Sequence, residues 1–213
     1  MHFLSPELEE YIENHSDSEP DLLAALSRET HQKVLQPRML SGHFQGRVLS
    51  LLSKLIRPRK ILEIGTYTGY SALCLCEGLA ENGRLDTIDI KEELYDFQRK
   101  YFEQSPWNSQ IVQHLGNAIE IIPNLEGPFD LVFIDADKEN YQYYYDMVVP
   151  KMSKGGIVLS DNVLWSGKVL EHGQTTDRSA QKLMEYNIYL REDPRVETVL
   201  LPIRDGLSVC RVI

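Results

Sequence analysis

The chain has 213 residues, enough for one sizeable domain around a single core, and 42% of them are hydrophobic against 25% charged. That balance excludes a disordered chain, and no apolar run approaches the roughly 20 residues needed to span a bilayer. With 32 acidic against 22 basic residues and a formal charge of −10, broad electrostatic binding to nucleic acid is disfavoured, because such affinity rests on neutralising phosphates.

The acidic opening, MHFLSPELEEYIENHSDSEPD, lacks the charged and apolar regions of a signal peptide, so a cytoplasmic location is expected. Residues 5–57 read as mostly helical, broken near Pro20 and across Gln36–Gly42, with Val48, Leu51, Leu52 and Leu55 at helical spacing between Phe44 and Ile56. A strand–helix alternation follows. Lys60–Ile64, Arg84–Ile90, Ile111–Leu115, Phe129–Asp135 and Ile157–Ser160 read as strands. Tyr70–Glu81, Glu92–Gln104, Asn117–Asn124, Asn140–Met152 and Thr176–Arg191 read as the helices between and after them. Two β-rich runs then flank Asp205-Gly206, which predicts an antiparallel hairpin. The expectation is an α/β doubly wound fold with a mostly parallel sheet and a C-terminal antiparallel pair. Cys74, Cys76 and Cys210 lack the spacing and partners of a zinc site and read as reduced, packed thiols.

The first strand runs into Glu63-Ile-Gly65-Thr-Tyr-Thr-Gly69-Tyr-Ser71. This is neither the dinucleotide fingerprint, whose second glycine is replaced by Tyr67, nor a Walker loop, which needs a Gly-Lys-Ser/Thr. An acid beside the glycine turn favours a cofactor with positive charge, and Asp89 at the next strand end is placed to accept from a ribose diol. The combination fits S-adenosylmethionine, which carries a sulfonium, an amino group and a ribose; a plain tight turn accounts for the glycines but not for two acids at adjacent strand ends.

FDLVFIDADK at Phe129–Lys138 and GGIVLSDN at Gly155–Asn162 are apolar runs ending in acidic or amide side chains. Ligands of open α/β sheets bind outside the carboxyl ends of the strands, so Asp135, Asp161 and Asn162 are expected to converge there, with Lys138 one turn on. Three hard oxygen donors select Mg²⁺, with Ca²⁺ or Mn²⁺ as alternatives, over zinc. A cation so bound lowers the pKa of a substrate hydroxyl, and the Lys138 amine would serve as general base. Either aspartate taken alone is equally well read as an N-cap of the next element.

At these residues the chain resembles the cation-dependent O-methyltransferases, the group of catechol and caffeoyl-coenzyme A O-methyltransferases and their bacterial relatives. The resemblance runs from about Met39 to Ile213 and is carried by LEIGTYTGYSAL, Asp89 in TIDI, FIDADKENY, SDNVLWSGKV and LPIRDGLSVCRVI. It implies a Rossmann-like class I methyltransferase fold and a single domain over 1–213, with an N-terminal helical segment (1–57) helping to close the active site of a cofactor-binding core (58–213). It implies that Asp135, Asp161 and Asn162 bind the metal and that Lys138 is the base. It also implies S-adenosylmethionine contacts from Glu63, Gly65, Thr66, Ser71, Asp89 and Ala118, with Asp135 near the methionine end and Met39, Ser41 and Gly46 bordering the cofactor. Homodimerisation is a further implication. Gly42-His43-Phe44-Gln45 departs from the acidic Asp-Glu-Gly-Gln form of the plant enzymes.

Trp165 is placed to stack on a planar acceptor, while His43 and His31 are candidates to flank it. Tyr141, Tyr143, Tyr144 and Tyr145 read as packing and subunit contacts, one of them reaching the acceptor. The loops Gln36–Gln45 and Trp165–Thr176 are expected to shape the acceptor site. The resulting expectation is methyl transfer to a phenolic small molecule, a catechol-like vicinal diol. Two alternatives remain: the same chemistry on a hydroxylated uridine of tRNA, and a non-catalytic ligand-binding module.

Overall fold

The computed structural model describes residues 5–171 and 175–213. Chain breaks follow the residues that dictate them. Ser5 caps α1 (Pro6–Asn14) by accepting from the Leu8 amide, and Pro20 precedes α2 (Asp21–Lys33). After a 3₁₀ turn at Pro37–Met39 comes α3 (Gly42–Ile56), which starts at Gly42 rather than Phe44 and ends on Arg57 in the left-handed region.

The α/β part comprises β1 (Lys60–Ile64), α4 (Tyr70–Cys76), β2 (Arg84–Asp89), α5 (Tyr95–Gln104), β3 (Ile111–Leu115), α6 (Ala118–Ile121), β4 (Phe129–Ile134), α7 (Tyr141–Val148), β5 (Met152–Asp161), α8 (Arg178–Glu192), β6 (Val196–Leu201) and β7 (Leu207–Val212). They form a seven-stranded sheet in the order β3-β2-β1-β4-β5-β7-β6. Pairings among β1 to β5 are parallel; β7 lies antiparallel between β5 and β6. The expected mostly parallel sheet with a C-terminal hairpin is therefore what forms.

Alternate residues of each central strand feed opposite faces. Leu62, Ile64, Val132, Ile134 and Val158 join Tyr141, Tyr145, Leu183 and Tyr186 on the α7–α8 side. Ile61, Leu131, Phe133 and Leu159 join Leu26, Leu49, Leu73 and Phe102 on the α2–α5 side. The strand order reverses between β1 and β4, so the carboxyl ends of those strands open the crevice where such sheets take ligands.

Among the element boundaries that differ from the sequence reading, three have a plain physical cause. The fourth helix stops at Cys76 rather than Glu81 because the chain then passes beneath α3: a Cβ on Gly78 would lie 2.1 Å from the Ser53 carbonyl carbon. The seventh stops at Val148, where Pro150 lies in a 3₁₀ turn that ends it. The fifth strand begins at Met152, five residues earlier than the apolar run at Ile157, since the Gly155-Gly156 irregularity lies within the strand opposite Phe129–Leu131. All three cysteines are buried and unbridged, and no helix among the described residues is long and apolar enough to cross a membrane.

Candidate active site

The crevice is shaped first by backbone. Gly65 follows β1 with φ +101, and a Cβ there would lie 2.0 Å from the Asp135 carbonyl oxygen, so the ends of β1 and β4 meet closer than any side chain allows. Its amide donates to the Ile88 carbonyl at 2.9 Å and the Asp135 amide to the Ile64 carbonyl at 2.9 Å, which locks the three strand ends together.

On the β1–β2 side the Glu63 carboxyl is fully buried and takes hydrogen bonds from Ser71 Oγ and Thr87 Oγ1, each at 2.6 Å. Burial pushes its pKa up to about 8; the two hydroxyls oppose that shift, and the charges of Asp135 and Asp89 add to it. Thr66 Oγ1 lies 2.5 Å from Thr87 Oγ1, extending the chain of hydroxyls. Asp89, at the end of β2, accepts from the amides of Tyr67 at 2.6 Å and Lys91 at 2.9 Å, so its carboxylate is fixed with a lone pair left on each oxygen. Ala118 opens α6, capped by Asn117 through the Ile119 amide at 3.0 Å. Ser41 is buried just before α3, whereas Met39 is exposed.

The β4–β5 side carries the reactive groups. Ile134 pairs with Ser160, which puts Asp135 beside Asp161 one step beyond the paired strands. Lys138 is only 8% exposed, and its Nζ donates to Asp135 Oδ1 at 2.8 Å and to Tyr141 Oη at 2.6 Å. The Tyr141 hydroxyl in turn donates to the Asp161 carbonyl at 3.0 Å. Asn162 has φ +58, an unusual conformation for a residue with a side chain, and its amide returns to Asp161 Oδ1 at 2.8 Å. Burial and the neighbouring Asp135 push the Asp161 carboxyl up from the usual carboxylate range, against the pull of Lys138. The buried Asp161 and the Asp135 carboxylate, already met by the Lys138 amine, stand at adjacent strand ends, where a cation would offset their repulsion. Among the described residues no cluster of three or more His, Cys, Asp or Glu is placed to hold a metal. The set here is two carboxylates and an amide side chain, hard oxygen donors that fit Mg²⁺ or Ca²⁺.

The acceptor-side residues are anchored. Trp165 has φ +45 and its Nε1 donates to Asp177 Oδ2 at 3.1 Å, alongside Lys168 Nζ at 2.6 Å. Residues 172–174 of the expected acceptor loop lie outside the described residues. His43 Nε2 lies 2.7 Å from the Asp17 carbonyl, and His31 Nδ1 lies 2.8 Å from the Ser27 carbonyl of its own helix, so one nitrogen of each ring is engaged with backbone. Tyr145 reaches Asp193 at 3.0 Å and Tyr144 reaches Asp137 at 2.5 Å, while Tyr143 is exposed. Tyr141 reads as packing in the sequence, yet its i, i+3 spacing from Lys138 is the signal that places it on the amine. Gln45 and Arg204, which meet at the same crevice, carry no local signal at all.

A mostly parallel seven-stranded sheet, closed by an antiparallel pair and with its glycine turn at the switch point, is the fold of a class I methyltransferase. The sequence model of the O-methyltransferase family matches residues 13–213, and this chain belongs to that family. The caffeoyl-CoA O-methyltransferase of Petroselinum crispum is 32% identical over 204 residues, covering 91% of this chain and 84% of its own. That of Pinus taeda is 33% identical over 204 residues, covering 91% and 78%. Among solved structures, an O-methyltransferase from Bacillus cereus in complex with SAH superposes with a TM-score of 0.90 at 28% identity, over 97% of each chain. An SAH-bound methyltransferase from Podospora anserina gives 0.89 at 29% identity, over 99% of this chain and 97% of its own.

Proposed function

We propose that the chain transfers a methyl group from S-adenosylmethionine to one hydroxyl of a catechol-like phenolic small molecule, assisted by a divalent cation. The observation that carries this reading is the buried Lys138 amine, pinned between Asp135 Oδ1 and the Tyr141 hydroxyl where β4 and β5 end. An amine so restrained serves one position, that of a hydroxyl presented at the strand ends.

Asp135, Asp161 and Asn162 would hold the cation, which when bound supplies Lewis acidity to an acceptor hydroxyl. Lys138 Nζ would take the proton of that hydroxyl. Asp135 and Tyr141 orient the amine, and Tyr141 also ties it to the backbone of Asp161. On the donor side, Asp89 would accept from the ribose hydroxyls. The buried Glu63 would sit with Ser71 and Thr66 beneath the glycine turn, where the absence of a side chain at Gly65 lets the ends of β1 and β4 close together under the donor. Met39, Ser41 and Ala118 would line the rest of its path.

Residues 1–57 would act as the cover of this site. Arg204 at the β6–β7 turn holds the carbonyls of Leu40 and Ser41, and the Tyr67 hydroxyl reaches the carbonyls of Leu35 and Gln36, each at 3.2 Å. Trp165, anchored by Asp177, would stack on the acceptor ring. The same reading places the protein in the cytoplasm as a homodimer.

A methyl-transfer assay on a panel of phenols tests the proposal. Vicinal diols are expected to be methylated, EDTA to abolish the reaction and Mg²⁺ to restore it. Full activity after rigorous metal removal would overturn the role of the cation. Transfer to tRNA nucleosides with none to phenols would overturn the acceptor class.

A further inference from the structure

Gln45 lies in the first turn of α3 and is 1% exposed, yet the two ends of its amide fare differently. Its Oε1 accepts from Arg204 Nη1 at 2.9 Å. Its Nε2 is buried and makes no regular hydrogen bond. The orientation follows from chemistry: a guanidinium has only donors, so the amide oxygen must face Arg204 and the NH₂ must face the opposite way. The acid that the Gln45 side chain acts on is Asp161. Burial pushes that carboxyl up and Asp135 raises it further, while Lys138, then Gln45, pull it down.

Arg204 is itself held. It sits at the β6–β7 turn with φ +48, and the same Nη1 reaches the carbonyls of Leu40, at 3.1 Å, and Ser41. A buried N–H with no partner is uncommon in a folded protein and calls for an acceptor that completes it. Carboxylates that ligate metals are themselves usually hydrogen-bonded by outer groups that fix their rotation.

We propose that Gln45 is a positioning residue for Asp161: held by Arg204, its Nε2 donates to the Asp161 carboxylate and sets that carboxylate's rotation for the cation. The proposal rests on the cation reading given above. It adds two residues, one on the N-terminal cover and one on the C-terminal hairpin, that make the site's geometry depend on the cover being in place.

Binding of Mn²⁺, followed by the loss of the free-ion paramagnetic signal in the presence of S-adenosylhomocysteine, tests it. Gln45→Leu and Arg204→Met are each expected to weaken Mn²⁺ binding by roughly tenfold or more. The double variant is expected to be no weaker than Gln45→Leu alone, because Arg204 acts through Gln45. Affinity for S-adenosylhomocysteine is expected to stay near that of the wild type. Gln45→Leu that melts earlier but binds Mn²⁺ as the wild type does would reduce Gln45 to packing and overturn the proposal. So would losses that multiply in the double variant. Should Gln45→Leu fail to fold, Arg204→Met at its turn decides the question: unchanged Mn²⁺ affinity overturns the proposal. Wild-type protein that binds S-adenosylhomocysteine but no Mn²⁺ would sink the cation reading itself and this inference with it.

Discussion

The Tyr141 hydroxyl donates to the backbone carbonyl of Asp161 at 3.0 Å, and through that contact the amine of Lys138 is tied to the end of β5. Tyr141→Phe keeps the ring and its edge-on packing against Tyr186, with centroids 5.6 Å apart, but leaves the Asp161 carbonyl unpaired in a buried site. A loss of about 1–3 kcal/mol of stability is expected. Lys138 would keep only Asp135 as a partner, so turnover is expected to fall by about tenfold while cofactor affinity holds, since general base catalysis depends on placement. Melting curves and steady-state kinetics read the two effects separately. Unchanged turnover in a destabilised variant would assign Tyr141 to packing alone.

Two glycines with positive φ separate conformational strain from steric exclusion. Gly42 has φ +77 with nothing within 4 Å of where a Cβ would stand, whereas Gly65 has φ +101 and the Asp135 carbonyl oxygen at 2.0 Å from that point. Gly42→Ala is expected to cost about 1–2 kcal/mol, the penalty of the left-handed region. Gly65→Ala must also part the ends of β1 and β4, and is expected to cost more than about 4 kcal/mol, in the range reserved for named structural failures. Chemical denaturation of both variants checks the contrast. Equal losses would mean that the strand ends separate easily.

The Glu63 carboxyl, raised by burial to about 8 from its ordinary 4.5, makes stability depend on pH with a definite sign. Between those two values the folded state keeps the proton and the unfolded state has lost it. The folded state therefore binds more protons, and stability falls as pH rises through this window. Below it the group contributes no slope. Glu63→Gln removes this dependence, so the difference in stability between variant and wild type is expected to grow in the variant's favour by about a few kcal/mol from pH 5 to pH 8. Denaturation of the cofactor-free protein at several pH values measures it. A difference that does not change with pH would mean that Glu63 is ionised in the fold.

The parts of this architecture legible in the sequence are those set by short-range pattern. The strands Lys60–Ile64 and Ile111–Leu115 stand where their apolar runs place them, bounded by turn residues. Asp135 and Lys138 meet across three residues as their spacing in the sequence allows, and the 3₁₀ turn that begins at Lys138 carries the chain on to Tyr141, the amine's other partner. What escaped the pattern was set by tertiary contact. In the sequence Met152 reads as the end of a helix and Ser153–Gly156 as the connection after it, yet pairing with β4 makes this half of β5 strand. The pairing of Gln45 with Arg204 spans 159 positions, and no period or motif connects them. The histidines show the converse limit. His43 reads in the sequence as a candidate to flank the acceptor, and nothing there shows that the segment before α2 supplies the Asp17 carbonyl as a partner.

Asp177 couples the candidate acceptor loop to the start of α8. Its Oδ1 caps the helix through the Ala180 amide at 3.2 Å, while Oδ2 holds Lys168 at 2.6 Å and Trp165 at 3.1 Å. Those bonds, Lys168 foremost, hold its pKa down at about 2, so the clamp persists in the folded state until the pH falls that low. Asp177→Ala removes both functions. The lost cap is expected to cost about 1 kcal/mol. Trp165, kept in the left-handed region at φ +45, loses the contact that opposes its strain, and the indole is expected to leave its place. Asp177→Asn retains the capping oxygen but sets an NH₂, which cannot accept, in place of Oδ2, and so gives up the hold on Lys168 and Trp165. If Trp165 stacks on the acceptor, KM for a catechol should rise in the order wild type, Asp177→Asn, Asp177→Ala, with cofactor affinity constant. Indole fluorescence quenching by the acceptor should weaken in the same order. An acceptor KM that follows helix stability instead, with Asp177→Asn equal to wild type, would show that Asp177 serves only as a cap.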